Sequence, residues 1–337
     1  MPVRWAIVGP GRIAHAFAKA LSSLPNGQLT WVQGRDAVRT QAFATQYSVP
    51  GQGAVQVTQD LATLLAQADV DAVYVATPHS AHAQAVAACL RAGKAVLCEK
   101  PLAPNHAQGA ALVALSRQHN SFLMEALWTR FLPIYVQVGA WLRDGTIGTL
   151  HGVQSSFCFA TAYDANSRLF DPALAGGALL DLGVYNLSMT RWVLQQALGA
   201  CPEPVDVQVQ GRLAPTGVDQ RVAGTLVFDA GLVAQFMCGF DSQSDNSLSI
   251  QGALGHIRVG PNFSRATQAV LTRHGHEPVA LNAPLAVNGF EGEIAETIRC
   301  LCAGLIESPQ MRHADSLATL GWMDKARAQL GVRYPFE

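Results

Sequence analysis

The chain has 337 residues, 49% hydrophobic and 14% charged, a balance that excludes a disordered chain and allows two separate cores. Its formal net charge is -1 and no long basic run occurs, so nucleic acid and anionic membrane surfaces are not expected partners. No uninterrupted apolar stretch is long enough to span a bilayer.

In chain order, residues 4–8 form an apolar run that stops at Gly9, with no signal-peptide pattern before it. A helix is expected over 13–24, closed by Pro25-Asn26-Gly27. A strand over 28–34, a helix over 37–47 and another helix from Asp60 follow. A buried-type strand at 72–76 ends in Thr77-Pro78, and an alanine-rich helix at 80–92 is closed by Gly93. A strand at 95–98 ends in Glu99-Lys100-Pro101; a helix from about 104 to 119 leads to a strand at 121–125. Apolar strands alternating with helices predict a parallel sheet covered on both faces.

Beyond that point the pattern changes. A helix at 133–144, a long strand at 149–160 and a long helix at 177–198 are expected. Strands then follow one another at 205–213, 220–228, 232–240, 247–251, 256–259 and 269–272. Consecutive strands without helices between them predict a large, open, mostly antiparallel sheet. Helices near 290–304 and 313–330 finish the chain. The fold class expected is α/β, with a Rossmann domain at 1–123 and an α+β domain at 124–337 for substrate binding and oligomerisation. The final helix is free to pack on either.

The seven cysteines, Cys89, Cys98, Cys158, Cys201, Cys238, Cys300 and Cys302, are odd in number and irregularly spaced. Cys98 and Cys158 fall in apolar strands, where a thiol behaves as a small hydrophobe. A reducing, cytoplasmic compartment is expected. His79 and His82, and His274 and His276, lack a third ligand at suitable spacing, so no metal site is expected.

Gly9-Pro-Gly11-Arg12-Ile13-Ala14 matches G-x-G-x-x-A between a strand and a helix. Gly9 permits the tight turn, Gly11 lets a pyrophosphate approach the backbone, and Ala14 lets helix and strand pack closely. The helix start offers free N–H groups and partial positive charge. NAD sites usually place an acid after the second strand. Here Arg35 and Arg39 stand near that point, placed to hold a 2′-phosphate through charge-assisted hydrogen bonds. NADP(H) is the expected cofactor. Asp36 keeps two alternatives open: a helix cap, or an acid that admits NAD(H).

Ligands of an open parallel sheet bind beyond the carboxyl ends of its strands. Thr77, Pro78, Glu99 and Lys100 occupy that edge, and His82 is a candidate there, with a helix-surface position as its alternative. A second cluster follows the Gly176-Gly177 pair, where Asp181 and Tyr185 are four apart and share a helix face. A phenol with a pKa of about 10 is a poor base at neutral pH. A neighbouring ammonium and a cationic nicotinamide lower that value and let it exchange a proton with a substrate oxygen. The plain alternatives are a packing tyrosine and a solvated lysine.

These motifs resemble the glucose-fructose oxidoreductase/inositol dehydrogenase family (Gfo/Idh/MocA), in its branch of dimeric dihydrodiol dehydrogenases and NADP-dependent xylose dehydrogenases. The resemblance rests on the glycine loop, Ala76-Thr-Pro78, Glu99-Lys-Pro101, Met124-Glu-Ala-Leu-Trp-Thr-Arg-Phe131, Leu169-Phe-Asp-Pro172, the segment from Gly176 to Tyr185, Gly289-Phe-Glu291 and Val332-Arg-Tyr-Pro-Phe336. It implies that Lys100, Asp181 and Tyr185 form the active site, with Tyr185 as proton donor or acceptor. It implies that Trp128 and Arg130 lie near substrate and cofactor, and that the open sheet forms the interface of a homodimer or higher homo-oligomer. Gly34 departs from the family, where alanine or serine is commoner. Phe159 is a further candidate for the substrate pocket. The expected activity is hydride transfer between NADP(H) and a carbinol carbon of a sugar, polyol or cyclic trans-diol. The rivals are a catalytically inactive nicotinamide sensor and a methyltransferase with a similar glycine loop; the two arginines disfavour the latter.

Overall fold

The structure is a computed structural model that describes residues 2–49, 51 and 53–337. It divides into two compact units, Met1–Trp128 with Ala286–Leu317, and Thr129–Leu285 with Ala318–Glu337.

In the first unit strand and helix alternate: β1 (Val3–Val8), α1 (Arg12–Leu21), β2 (Gly27–Gln33), α2 (Ala37–Tyr47), β3 (Gln56–Thr58), α3 (Leu61–Leu65), β4 (Ala72–Val75), α4 (His79–Arg91), β5 (Ala95–Glu99), α5 (His106–Gln118) and β6 (Leu123–Ala126). The strands form one parallel sheet ordered β3-β2-β1-β4-β5-β6. The order reverses at β1, which makes the carboxyl ends of β1 and β4 the edge where such sheets take ligands. Strands β4 and β5 are buried throughout, which is why they read as unbroken apolar runs. Edge strand β3 has three largely exposed residues and no apolar run, so nothing in the sequence announces it. Trp5, Phe17 and Tyr74, all fully buried, tie α1 to the sheet. Phe17 stacks on Tyr74 at 3.8 Å between centroids, and Trp5 meets it edge-on at 5.3 Å.

The second unit opens with α6 (Pro133–Arg143) and β7 (Leu150–Cys158). A π-helical turn at Leu179–Gly183 runs into α7 (Val184–Leu198). The strands β8 (Asp206–Leu213), β9 (Asp219–Val227), β10 (Val233–Gly239), β11 (Leu248–Gly252), β12 (Gly255–Val259), β13 (Gln268–Arg273) and β14 (Val279–Asn282) follow. The sheet order is β14-β13-β12-β11-β7-β10-β9-β8, antiparallel except for the β7–β10 pair. Helix α7 is buried on every side from Val184 to Leu194, packed against α6, β7 and β10. The side chains that alternate outward carry a row of amides: Gln154 donates to Gln235 (2.7 Å) and Gln251 donates to Gln154 (3.0 Å). The stretch expected as one helix from 177 to 198 begins instead as a π turn. Its composition suits both geometries, so the sequence does not separate them.

Helix α8 (Phe290–Cys302) packs against α1 in the first unit, and the division between units falls within α9 (His313–Leu330). No helix among the described residues is long and apolar enough to cross a membrane.

Removing the Phe17 ring empties the contact among Trp5, Tyr74 and α1. Phe17→Ala is expected to cost about 3–5 kcal/mol in urea unfolding; a loss below about 1 kcal/mol contradicts this account of the core.

Candidate active site

The glycine turn after β1 has two glycines with different reasons. Gly9 has φ +92°, and a Cβ there would lie 2.9 Å from the Ala76 carbonyl oxygen. Conformation and close packing both require glycine. A Cβ on Gly11 would meet nothing within 4 Å, so packing leaves that position unconstrained and the space beside it is open. Helix α1 has no side-chain cap; the Gly11 carbonyl takes the Ala14 N–H at 3.1 Å, and the rest of the helix start offers its N–H groups and partial positive charge to an anion. Arg12 and Ile13 are exposed in its first turn; Ala14 is buried against the sheet. These features fit a pyrophosphate.

Arg35 and Arg39 are both exposed beyond the end of β2. Asp36 caps α2, accepting from the Arg39 backbone N–H at 3.0 Å. Its carboxylate therefore serves the helix start, the first of its two sequence alternatives. Gly34 is explained by crowding: a Cβ would collide with Thr40 Oγ1 and lie 2.7 Å from Pro10 Cδ.

Along the edge formed by β4 and β5, Thr77 Oγ1 is a buried hydroxyl with no hydrogen-bond partner among the described residues. Such a group suits a ligand contact. His82 is fully buried, so it neither lines the surface of α4 nor meets solvent. Its Nδ1 lies 2.8 Å from the Pro101 carbonyl and its Nε2 lies 2.9 Å from the Thr77 carbonyl. Two acceptors favour the doubly protonated ring, but burial opposes the charge more strongly and Lys100 adds to it, pushing His82 down to about 4. A neutral ring has one N–H, so it donates to one of the two carbonyls and lies against the other.

Lys100 follows β5 and is half-buried. Its backbone N–H donates to Glu99 at 3.3 Å, and the buried Tyr74 phenol donates to the other Glu99 oxygen. Glu125 accepts from the Leu102 N–H (2.9 Å) and the Ser316 hydroxyl (2.6 Å), fixing the segment after Lys100. Glu293 on α8 is fully buried, and neither carboxyl oxygen has a hydrogen-bond partner among the described residues. Burial first, and the Glu99 charge second, push its pKa well up. Trp128 stacks on Phe290 at 4.9 Å. Glu125 and Glu293 were not singled out from sequence, because neither breaks its element's pattern enough to mark it.

In the second unit Asp181 lies within the π turn and Tyr185 in the first turn of α7; both are buried. Tyr185 meets the Phe157 ring edge-on at 5.4 Å. Phe159 packs on Phe240 at 5.3 Å. Arg168 reaches Asp181 through both terminal nitrogens at 3.4 Å, while its side chain stays 48% exposed. Sequence reasoning passed over Arg168, which sits in a loop without periodicity. Arg130 is buried, and its guanidinium donates to the Ser188 hydroxyl (3.2 Å) and carbonyl (3.1 Å). That fixes it to α7, one turn beyond Tyr185. No three His, Cys, Asp or Glu side chains gather as a metal site among the described residues.

Two family models match this chain, an oxidoreductase family with NAD-binding Rossmann fold over residues 3–127 and the GFO/IDH/MocA C-terminal domain over 135–258. The trans-1,2-dihydrobenzene-1,2-diol dehydrogenase of Mus musculus is 34% identical over 342 residues, 99% of each chain. The protein of the same name from Xenopus laevis is 34% identical over 346 residues, 99% of this chain and 100% of its own. Among solved structures, KijD10, a 3-ketoreductase from Actinomadura kijaniata in complex with NADP and TDP-benzene, is 26% identical with a TM-score of 0.83, covering 97% of this chain and 98% of its own.

A carboxyl whose folded pKa is raised stabilises fully below its unfolded value of about 4.3, and loses that contribution as pH rises toward the folded value. Gln imitates the neutral acid at any pH. The Tm of Glu293→Gln is therefore expected to improve relative to wild type as pH rises above about 4.3. A difference that shrinks over that range contradicts a neutral buried acid.

Proposed function

This chain belongs to the GFO/IDH/MocA oxidoreductase family, and from that premise we propose that it moves a hydride between NADP(H) and a carbinol carbon of a cyclic trans-diol, polyol or sugar. The observation that carries the reading is the strand edge at the sheet's reversal. The bare Gly11, the uncapped start of α1, the partnerless Thr77 hydroxyl and Lys100 all stand on loops at the carboxyl ends of β1, β4 and β5.

When bound, the nicotinamide supplies the hydride chemistry. The chain's own residues manage the proton. In the oxidising direction the Tyr185 phenolate takes the carbinol proton at Oη; in the reducing direction the phenol returns it. Lys100 stabilises the phenolate and polarises the substrate oxygen. Asp181, steadied by Arg168, accepts from a neighbouring substrate hydroxyl and orients it. Phe157 gives the phenol an apolar flank, which suits a ring-shaped diol. Arg12, Ile13, Pro78, Trp128 and Glu99 line or brace the cofactor edge, and His82 braces it from a buried position; Arg130 is held in the second unit by Ser188 of α7.

Arg35 and Arg39 hold the 2′-phosphate, with Asp36 engaged in capping α2. The described cysteines are all free thiols, in keeping with a reducing cytoplasmic setting. The outward face of the eight-stranded sheet, with its Gln154–Gln235–Gln251 row, serves a homodimer or higher homo-oligomer.

Tyr185→Phe is expected to lower kcat for diol or polyol oxidation by about 10²–10⁴-fold with NADPH affinity retained. Turnover near wild type removes Tyr185 from the chemistry. Arg35→Ala with Arg39→Ala is expected to weaken NADPH binding about 10–100-fold, leaving NADH little changed, in a fluorescence titration. Equal losses for the two cofactors contradict the 2′-phosphate contact.

A further inference from the structure

We propose that Asp219 and Tyr334 are positioning residues that clamp the Gly176-Gly177 turn and thereby set the places of Asp181 and Tyr185. The inference rests on Asp181 and Tyr185 acting as proposed above.

The first N–H groups of a helix have no partner within it. Here the helix start is buried: Ala178, Leu179 and Leu180 are all 0% exposed, so water does not serve them. Ala178, at the cap position, has no side-chain acceptor to offer. The acceptor arrives from β9. Asp219 Oδ2 takes the Leu179 N–H at 2.6 Å, across 40 residues of sequence. A carboxyl at that end of a helix also meets the positive pole of the helix dipole.

The fit is close enough to dictate sequence. A Cβ on Gly177 would collide with Asp219 Oδ1, and Gly177 has φ +122°. The glycine is the counterpart of the carboxyl that caps the turn. Asp219 is 0% exposed, so it touches neither solvent nor substrate, and its Oδ1 has no hydrogen-bond partner among the described residues.

The C-terminal tail holds the other side. The Tyr334 hydroxyl donates to the Gly176 carbonyl at 2.7 Å. The Arg327 guanidinium lies 4.8 Å from the Tyr334 ring centroid and forks onto Glu337 at 3.0 and 2.8 Å. The same turn is stitched to the loop that carries Arg168, through Gly177 N–H to Leu169 carbonyl (2.9 Å) and Gly176 N–H to Asp171 carbonyl (2.9 Å). A shift of the turn therefore moves Asp181, its partner Arg168 and Tyr185 together.

Burial pushes the Asp219 carboxyl up to about 7, against the pull of the Leu179 N–H and Arg327. Below that pH the group is a neutral acid, and Asn is its isostere with the same carbonyl acceptor. That supplies a conservative rescue.

The experiment compares Asp219→Ala, Asp219→Asn, Tyr334→Phe and Tyr185→Phe in full-length protein. It measures NADP-linked oxidation of a cyclic trans-diol and a polyol series, NADPH titration, and hydrogen exchange of peptides spanning 177–185. Asp219→Ala is expected to lose about 10²-fold in kcat with NADPH affinity unchanged, and to exchange faster over 177–185. Asp219→Asn is expected to restore both, and Tyr334→Phe to show a smaller loss of the same kind. If Asp219→Ala does not fold, Tyr334→Phe decides by the same two measurements. Wild-type kcat and exchange in the folded clamp variants, beside an inactive Tyr185→Phe, overturn the clamp alone. An active Tyr185→Phe overturns the active-site reading, and the exchange data then judge the clamp by themselves.

Discussion

The first unit is organised by a contact between two stretches of backbone. Gly9 approaches the Ala76 carbonyl so closely that a single added carbon would stand 2.9 Å from it. The turn after β1 is thus seated on the end of β4. From there the linkage continues through His82, whose ring spans the Thr77 and Pro101 carbonyls. Three strand ends, with Gly11 on the first, Thr77 on the second and Lys100 on the third, are held in one register by short-range packing and hydrogen bonding. A dinucleotide needs that register, because its pyrophosphate and its reacting ring sit at different places along one edge.

Buried acidic side chains stand in both units, and each is accommodated differently. Glu125 is satisfied by a backbone N–H and a serine hydroxyl. Glu99 takes the Tyr74 phenol and the Lys100 N–H. Glu293 has no hydrogen-bond partner among the described residues, and burial raises its pKa. Asp219 uses one oxygen as a helix cap and is pushed toward neutrality by burial. An isolated buried charge would be costly, so each acid either finds donors or stays protonated. The free energy spent on these groups is compensated by the large apolar core, and what they confer is orientation.

Much of the fold was legible because burial on both faces leaves unbroken apolar runs, as in β4 and β5, and because glycine and proline punctuate them. The glycine turn was legible for the same reason: Gly9 and Gly11 fall between a clear strand and a clear helix. Strand β3 was not, since three exposed edge residues carry no period. The π turn was hidden by a composition equally suited to an α-helix. His82 read as a surface or edge residue because its two partners lie 5 and 19 residues away in sequence and meet it only in the fold. Arg168, Glu293 and Asp219 were invisible for a related reason: a single charged residue declares its environment only when its neighbours are known. Phe157 lies on β7 and Phe159 just past its end with the same parity, and packing alone shows that Phe157 meets Tyr185 and Phe159 meets Phe240.

The central claim is that a hydride passes directly between a carbinol carbon and a nicotinamide held by this chain. Isotope transfer tests it without recourse to any variant. A cyclic trans-diol carrying deuterium on its carbinol carbons would be incubated with the protein and NADP⁺, and the recovered cofactor examined by NMR and mass spectrometry. Deuterium at C4 of the reduced nicotinamide, on one face only, is the predicted result. Reduced cofactor without label, or deuterium appearing in solvent in its place, would contradict direct transfer.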